Sequence, residues 1–360
     1  MAGQFDTEDL DVEEENQEEE VVVSYDIASY PSDFTLSGIA KMWEDGDIVI
    51  PDYQREFVWS IRQSSLLIDS FLCGLPVPPV FFYIDDKKKN VVIDGQQRIL
   101  SVVFFFDGYF GKESTHGKRQ VFRLTGLGEQ NKYNNLKFDE LDEVAQRELK
   151  QSVLRAINIR QLTPDGESTS AYHIFERLNT GGTPLKPQEI RNCVFRGGFN
   201  TLLKDANNDI NWRKIIGKDY LDKHQKDVEL ILRIFALVGA MDNYEKPMKE
   251  FLNRAMKKHD SGTTKKATNF FKIFSRVTEA VVNSLGPKPF HLRGPLNISA
   301  LDSVMCVLIE NNSKLPSIDL KSGYAQLCED EGFQEYTKTN TTDTKVVISR
   351  MLVVKQYLVG

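Results

Sequence analysis

"VVIDGQQRILSVVFFF" spans residues 91–106 and joins two segments built for burial through five polar and turn-forming residues. The β-branched run Val91, Val92 and Ile93 reads as a strand. Gln96 to Phe106 is longer than a typical buried strand, so the spacing predicts a buried helix opened by a glycine turn. Asp94-Gly95-Gln96-Gln97-Arg98 thus lies where strand hands over to helix. Backbone N–H groups at such a junction lack intrahelical partners and, with the helix dipole, favour an anion. Gly95 allows close approach to the backbone, Gln96 and Gln97 add amides, and the Arg98 fork matches phosphate oxygens. Asp94 is placed to cap the helix, or to hold a metal or a water. The plain alternative is an ordinary Asp-Gly turn with Arg98 paired to a neighbouring carboxylate. On the pentapeptide alone both readings stay open.

Upstream, "DIVIPDYQREFVWS" opens with a short strand, Ile48 to Ile50, stopped by Pro51. Its Gln54-Arg55 pair is a second polar unit after a strand, beside Tyr53, Phe57 and Trp59. The plain reading puts Phe57 and Trp59 in the core and Arg55 on the surface. Ser60 and Gln63 form a capping-box pattern, so a helix follows and runs until Gly74 and Pro76. "VPPVFFYID" and "NVVID" form an expected hairpin across "DDKKK", whose lysines keep an exposed turn soluble or bind phosphate. "RQVFRL" and "SVLRAINIRQL" read as further strands around a helix, "ELDEVAQRELKQ". Strands and helices mix without a regular βαβ repeat, which favours α+β.

From residue 168 the apolar spacing turns helical. "STSAYHIFERLNTGG" is a helix ending near Asn179 and Thr180, where Asn179 reads first as a C-cap. Pro187 restarts a helix at a first-turn position. The expected division is a disordered acidic tail (1–24), an α+β domain (25–165) and an all-helical domain (166–360).

Residues 1–20 hold ten of the 52 acidic residues and no Lys or Arg. The remaining 42 acids face 45 basic residues, so the net charge of −7 becomes about +3. A near-neutral body neither demands nor excludes an anionic partner. Cys73, Cys193, Cys306 and Cys328 show no zinc or disulfide spacing, and Cys73 and Cys306 are expected in the core. No basic start precedes an apolar stretch, and no run is long enough to span a bilayer, so a cytoplasmic setting is expected. Arg254, Lys257, Lys258, Lys265, Lys266, Phe270, Phe271, Lys272 and Arg276 form a basic, aromatic cluster. It reads as solubilising helix faces or as a contact to DNA phosphates.

"IPDYQREFVW", "VIDGQQR", "FERLNTGGTPLKPQEIRN" and "DVELILRIFAL" follow one another in an order and spacing that resemble the GmrS-like family. That family comprises the N-terminal domains of GmrSD-type and SspE-type phage-restriction proteins. The resemblance covers about residues 33–240 and implies a ParB/sulfiredoxin-like fold for the first domain. It implies a nucleoside-triphosphate site at Asp94, Gly95, Gln96, Gln97 and Arg98, flanked by Gln54 and Arg55, with the family's helix-end Asn at Asn179. Asp94, Gln97 and Arg98 would be the catalytic members, and Mg²⁺ would accompany the nucleotide. One departure is Lys186, where the family often has a Ser or Thr cap. The related proteins also carry an HNH-type nuclease domain, fused or as a partner chain. None of the five histidines here (His116, His173, His224, His259, His291) has that spacing. The expected function is therefore an NTP-hydrolysing regulatory component of a DNA-restriction system with a separate nuclease subunit. The rival readings are a non-catalytic nucleotide or DNA sensor and, more weakly, a DNA-nicking enzyme.

Overall fold

The computed structural model describes residues 9–13, 26–50, 57–85, 87–111, 119–128, 130–163, 169–178, 185–195 and 197–360. The chain divides into two compact units. The sheet unit comprises residues 25–165 and 173–184; the helical unit comprises residues 1–24, 166–172 and 185–360.

In the sheet unit the order is β1 (Asp26–Thr35), α1 (Leu36–Glu44), β2 (Ile48–Val49), α2 (Ile61–Leu72), β3 (Val80–Ile84), β4 (Asn90–Asp94) and α3 (Gln96–Asp107). It continues with β5 (Tyr109–Phe110), β6 (Gln120–Val121), α4 (Glu143–Gln151) and β7 (Val153–Thr163). A five-stranded sheet runs β1-β7-β3-β4-β2, and β5-β6 form a small second sheet. The β1–β7 and β3–β4 pairs are antiparallel, while β3–β7 and β2–β4 are parallel. This is the mixed α+β pattern expected.

Several expectations hold in detail. Ser60 and Gln63 make the reciprocal capping box on α2. The β3–β4 hairpin forms across the lysine turn, where Lys89 pairs with Asp47 at 2.6 Å. The α3 helix buries Ile99, Leu100, Ser101, Val102, Phe104 and Phe105. Edge-to-face rings extend that core, with Phe105 against Phe122 at 5.2 Å and Phe57 against Phe104 at 5.0 Å.

Other expectations need correction. The long strand β1 and helix α1 carried no strong local signal, and "RQVFRL" supplies only the two residues of β6. Cys73 is exposed rather than buried. It follows Phe71, the last buried residue of α2, by two positions, which on a helix is nearly the opposite face. Cys306 is buried as expected.

Helix α5 (Ser170–Leu178) gives its first residues to the helical unit and its remainder to the sheet unit. The helical unit continues with α6 (Pro187–Val194), α7 (Gly198–Asn207), α8 (Ile210–Ile216), α9 (Lys226–Leu237) and α10 (Met248–Lys258). It ends with α11 (Lys265–Leu285), α12 (Ile298–Glu310), α13 (Leu320–Glu329), α14 (Glu331–Tyr336) and α15 (Thr344–Leu358). Pro187 occupies the first turn of α6. Lys186 gives no side-chain cap; the Glu189 carboxylate instead accepts its backbone N–H at 2.7 Å. Every residue of α12 from Ile298 to Ile309 is buried, which makes it the central helix of this core. Residues 9–13, within the expected free tail, pack against this unit, with Leu10 in its core.

Two of the four quoted segments meet here. Arg191 of α6 pairs with Glu229 of α9 at 2.7 Å and donates to Asn253 at 2.9 Å. Lys226 holds the other Glu229 oxygen at 2.6 Å. Burial works to raise the Glu229 carboxyl, but the charges and hydrogen bonds of Lys226 and Arg191 outweigh it and bring it to about 2. A carboxyl depressed on folding contributes stability above its unfolded value of about 4.5 and loses it as pH falls toward 2. Glu229→Gln is therefore expected to flatten the loss of stability between about pH 4.5 and 2. The term removed is on the order of 3 kcal/mol, read from urea midpoints across that window.

Candidate functional site

Asp94 ends β4, Gly95 takes the left-handed conformation (φ 103°), and α3 begins at Gln96. Glycine is demanded twice here. The backbone angle disfavours any side chain, and a Cβ would lie 2.3 Å from Val80 Cγ1. Val80, the first residue of β3, is fully buried beneath the turn. No side chain caps the N-terminus of α3, and no acidic residue lies in its first turn. Helix geometry leaves the first N–H groups there without intrahelical acceptors.

Arg98 is the third residue of the helix, still in its first turn. Its Nη2 donates to Asp94 Oδ2 at 2.7 Å and to the Pro79 carbonyl at 3.3 Å. Its Nε is buried with no hydrogen-bond partner among the described residues. The guanidinium side chain is 17% exposed, while that of Asp94 is 56% exposed, so the pair opens to solvent on the acid's side. The plain expectation of a local carboxylate partner is thus met, and by Asp94 itself.

Gln97 reaches back to the upstream segment. Its Oε1 accepts the backbone N–H groups of Val58 at 2.9 Å and Trp59 at 3.0 Å. An amide oxygen bound twice by main chain acts as a structural bracket. It fixes the end of the "PDYQREFVW" segment against the DGQQR junction, and Phe57 follows by packing on Phe104 and Phe110. Below, Ser101 Oγ donates to the Gln97 carbonyl at 2.7 Å and shares a hydrogen bond with Ser64 Oγ at 2.8 Å, clamping α3 to α2. Val80, Pro79 and Ser101 were not singled out from the sequence; Pro79 and Val80 lie well upstream of the motif, and Ser101 reads there as one more residue of the buried helix.

Asp94, Gly95, Gln96, Gln97 and Arg98 are therefore brought together as one junction. Gln54, Arg55 and Asn179 lie outside the described residues. Their described neighbours are placed: Val58 and Trp59 on Gln97, and Phe175 of α5 edge-on to Tyr83 of β3 at 6.3 Å.

Folding divides the basic cluster of the helical unit between core and surface. Phe270 is buried in the core, and Arg254 is drawn toward Glu250 at 3.7 Å. Lys266 turns inward over the Phe235 ring (4.8 Å) and donates to the Ala236 carbonyl at 3.2 Å. Burial brings its ammonium down to about 8. Lys265, Lys266 and Lys272 share a cleft of about 550 Å³ with Asn269, Glu310 and Asn312. Among the described residues no three His, Cys, Asp or Glu side chains are grouped to hold a metal, and no helix is long and apolar enough to cross a membrane.

No curated protein matches the chain. Residues 36–196 match the family described as the GmrSD restriction endonuclease, N-terminal domain. The match takes in three of the four quoted segments and stops before the fourth, residues 227–237. Over residues 36–196 this chain thus carries a GmrSD-like N-terminal domain.

Proposed function

We propose that the Asp94–Arg98 junction binds a nucleoside triphosphate, and that the protein is the NTP-hydrolysing regulatory component of a DNA-restriction, phage-defence system. One observation supports this most. A left-handed glycine opens directly into a helix without a side-chain cap, with a largely buried guanidinium in its first turn. Oriented N–H groups, the helix dipole and a permanent cation suit phosphate better than any neutral ligand. The GmrSD-like domain supplies the restriction context. A ParB/sulfiredoxin-like fold for the sheet unit belongs to the same proposal, with the strand–glycine–helix junction as its support.

In this reading Arg98 stabilises charge that develops on the transferred phosphoryl group. To do so it keeps or exchanges its Asp94 partner. Gln97 acts as a positioning residue that holds Val58 and Trp59, which leaves Gln96 to orient water. Gln54, Arg55 and Asn179 complete the pocket. Mg²⁺ is commonly held by one or two carboxylates together with substrate phosphates. Asp94, more than half exposed, fits that role for an ion arriving with its nucleotide. Bound there, Mg²⁺ would neutralise phosphate charge. The remaining partners are DNA and a separate nuclease subunit, in a cytoplasmic setting.

A second reading, binding without turnover, has its own support: the one carboxylate of the pentapeptide is already paired with Arg98, so it makes a poor general base. Phosphate release measured with each NTP, with and without DNA, separates the two. Arg98→Ala is expected to lower turnover, or affinity under the second reading, by about 10²-fold. Its folding cost should stay near 1 kcal/mol, because the partner acid is exposed. If Arg98→Ala leaves both binding and hydrolysis intact, the site is elsewhere.

A further inference from the structure

Residues 9–13, Asp-Leu-Asp-Val-Glu, lie on the helical unit as a short extended segment. Val12 forms a parallel bridge with Leu296; Glu13 N donates to the Leu296 carbonyl at 3.0 Å, and Leu296 N to the Asp11 carbonyl at 3.3 Å. Leu10 N donates to Asp222 Oδ2 at 2.6 Å. The Leu10 side chain enters the helical core and Val12 packs on its edge. Arg293 Nη2 reaches Glu13 Oε2 at 2.9 Å, and Asn297 Nδ2 donates to the same oxygen.

The anchors do not depend on the segment they hold. Asp222 Oδ1 already accepts the N–H groups of His224 and Lys226, at the start of α9. Asn297 caps α12 through Ala300 N at 2.7 Å and donates to the Thr337 carbonyl. Arg293 donates to that same carbonyl at 2.8 Å. A site whose donors and acceptors are fixed by its own framework is preorganised for a ligand. The segment, by contrast, makes an imperfect fit, since Glu13 Oε1 is buried without a hydrogen-bond partner among the described residues.

We propose that this groove is a peptide-binding site for an extended acidic segment of the pattern Leu-Asp-Val-Glu, and that the chain's own N-terminus fills it as a displaceable ligand. Backbone pairing with Leu296 gives register, Leu10 and Val12 are the apolar anchors, and the Glu13–Arg293 pair selects an acidic residue at the end.

The test uses the full chain and a labelled peptide of residues 7–16, followed by fluorescence anisotropy. In wild type the tethered segment competes at an effective concentration on the order of millimolar. Leu10→Asp should release it, so that the peptide binds this variant at least about tenfold more tightly than wild type. A peptide carrying Leu10→Asp should not bind, and neither should a scrambled peptide of equal charge. In the chain with Leu10→Asp and Arg293→Glu, binding should pass from the natural peptide to one carrying Glu13→Lys. In unaltered protein, excess peptide should speed hydrogen exchange at the Leu10 and Glu13 amides. Equal binding to wild type and Leu10→Asp, binding of the scrambled peptide, or unchanged exchange at both amides would overturn the proposal.

Discussion

Gly95→Ala is expected to destabilise the sheet unit by about 2 to 5 kcal/mol. Two costs add. A non-glycine residue in a left-handed conformation pays about 1–2 kcal/mol, and φ here is 103°. The new Cβ would also sit 2.3 Å from Val80 Cγ1, 2.7 Å from its Cβ and 3.2 Å from its Cα. Val80 cannot step aside, because it is fully buried and its strand pairs with both β4 and β7. Overpacking of that kind costs about 1–3 kcal/mol. Gly128 separates the two terms: its φ is 93°, yet a Cβ there would meet nothing within 4 Å. Gly128→Ala should therefore cost only the backbone term. Adding Val80→Ala to Gly95→Ala removes the closest contact but keeps the Cβ contact and the angle, so recovery should be partial. The readout is the denaturant midpoint of the sheet unit's own transition, since two units need not unfold together. Equal midpoint shifts for Gly95→Ala and Gly128→Ala would show that Val80 yields.

The second large effect lies in the helical unit. Asp302→Asn is expected to cost about 3–5 kcal/mol. Asp302 is 1% exposed and accepts Arg233 Nε at 2.7 Å and Arg350 Nη2 at 3.2 Å. Arg350 is itself fully buried, and its Nη1 donates to the carbonyls of Tyr336 and Thr341, both at 3.0 Å. A buried lysine could shed its proton to escape the loss of a counter-charge; arginine cannot. The substitution therefore leaves two cations in the core without the carboxylate between them. Replacing Arg233, Asp302 and Arg350 together by apolar residues of similar volume should restore much of the stability. The surface pair Arg155–Asp33 gives the contrast: with side chains 64% and 52% exposed, Asp33→Asn should shift stability by no more than about 1 kcal/mol. Thermal or urea unfolding of these three variants checks the ordering. A small effect for Asp302→Asn would mean that water reaches the network.

How much of this was legible beforehand depends on the range of the interaction. The Ser60–Gln63 box, the hairpin, the Pro187 start and the buried α3 helix are written within a few residues each. Strand β1 was not, because Pro31 and its polar neighbours give no local strand signal. The strand exists because ten of its residues pair with β7, more than a hundred positions away, and its place at the sheet edge tolerates the proline. The basic cluster shows the opposite limit. Its residues are adjacent in sequence, but folding buries Phe270 and turns Lys266 inward.

At the candidate site the same division holds. By itself the sequence determined the strand–glycine–helix junction, the residues it carries and the pattern that marks a GmrSD-like domain. Only the tertiary structure decided that Asp94 is Arg98's partner in the fold and that Val80 makes Gly95 irreplaceable. It also assigned the Gln97 oxygen to Val58 and Trp59, and the Asp9–Glu13 segment to backbone pairing with Leu296. A turn or a cap is set by the geometry of a few consecutive residues. What a side chain touches is set by which distant segments the buried core draws alongside it.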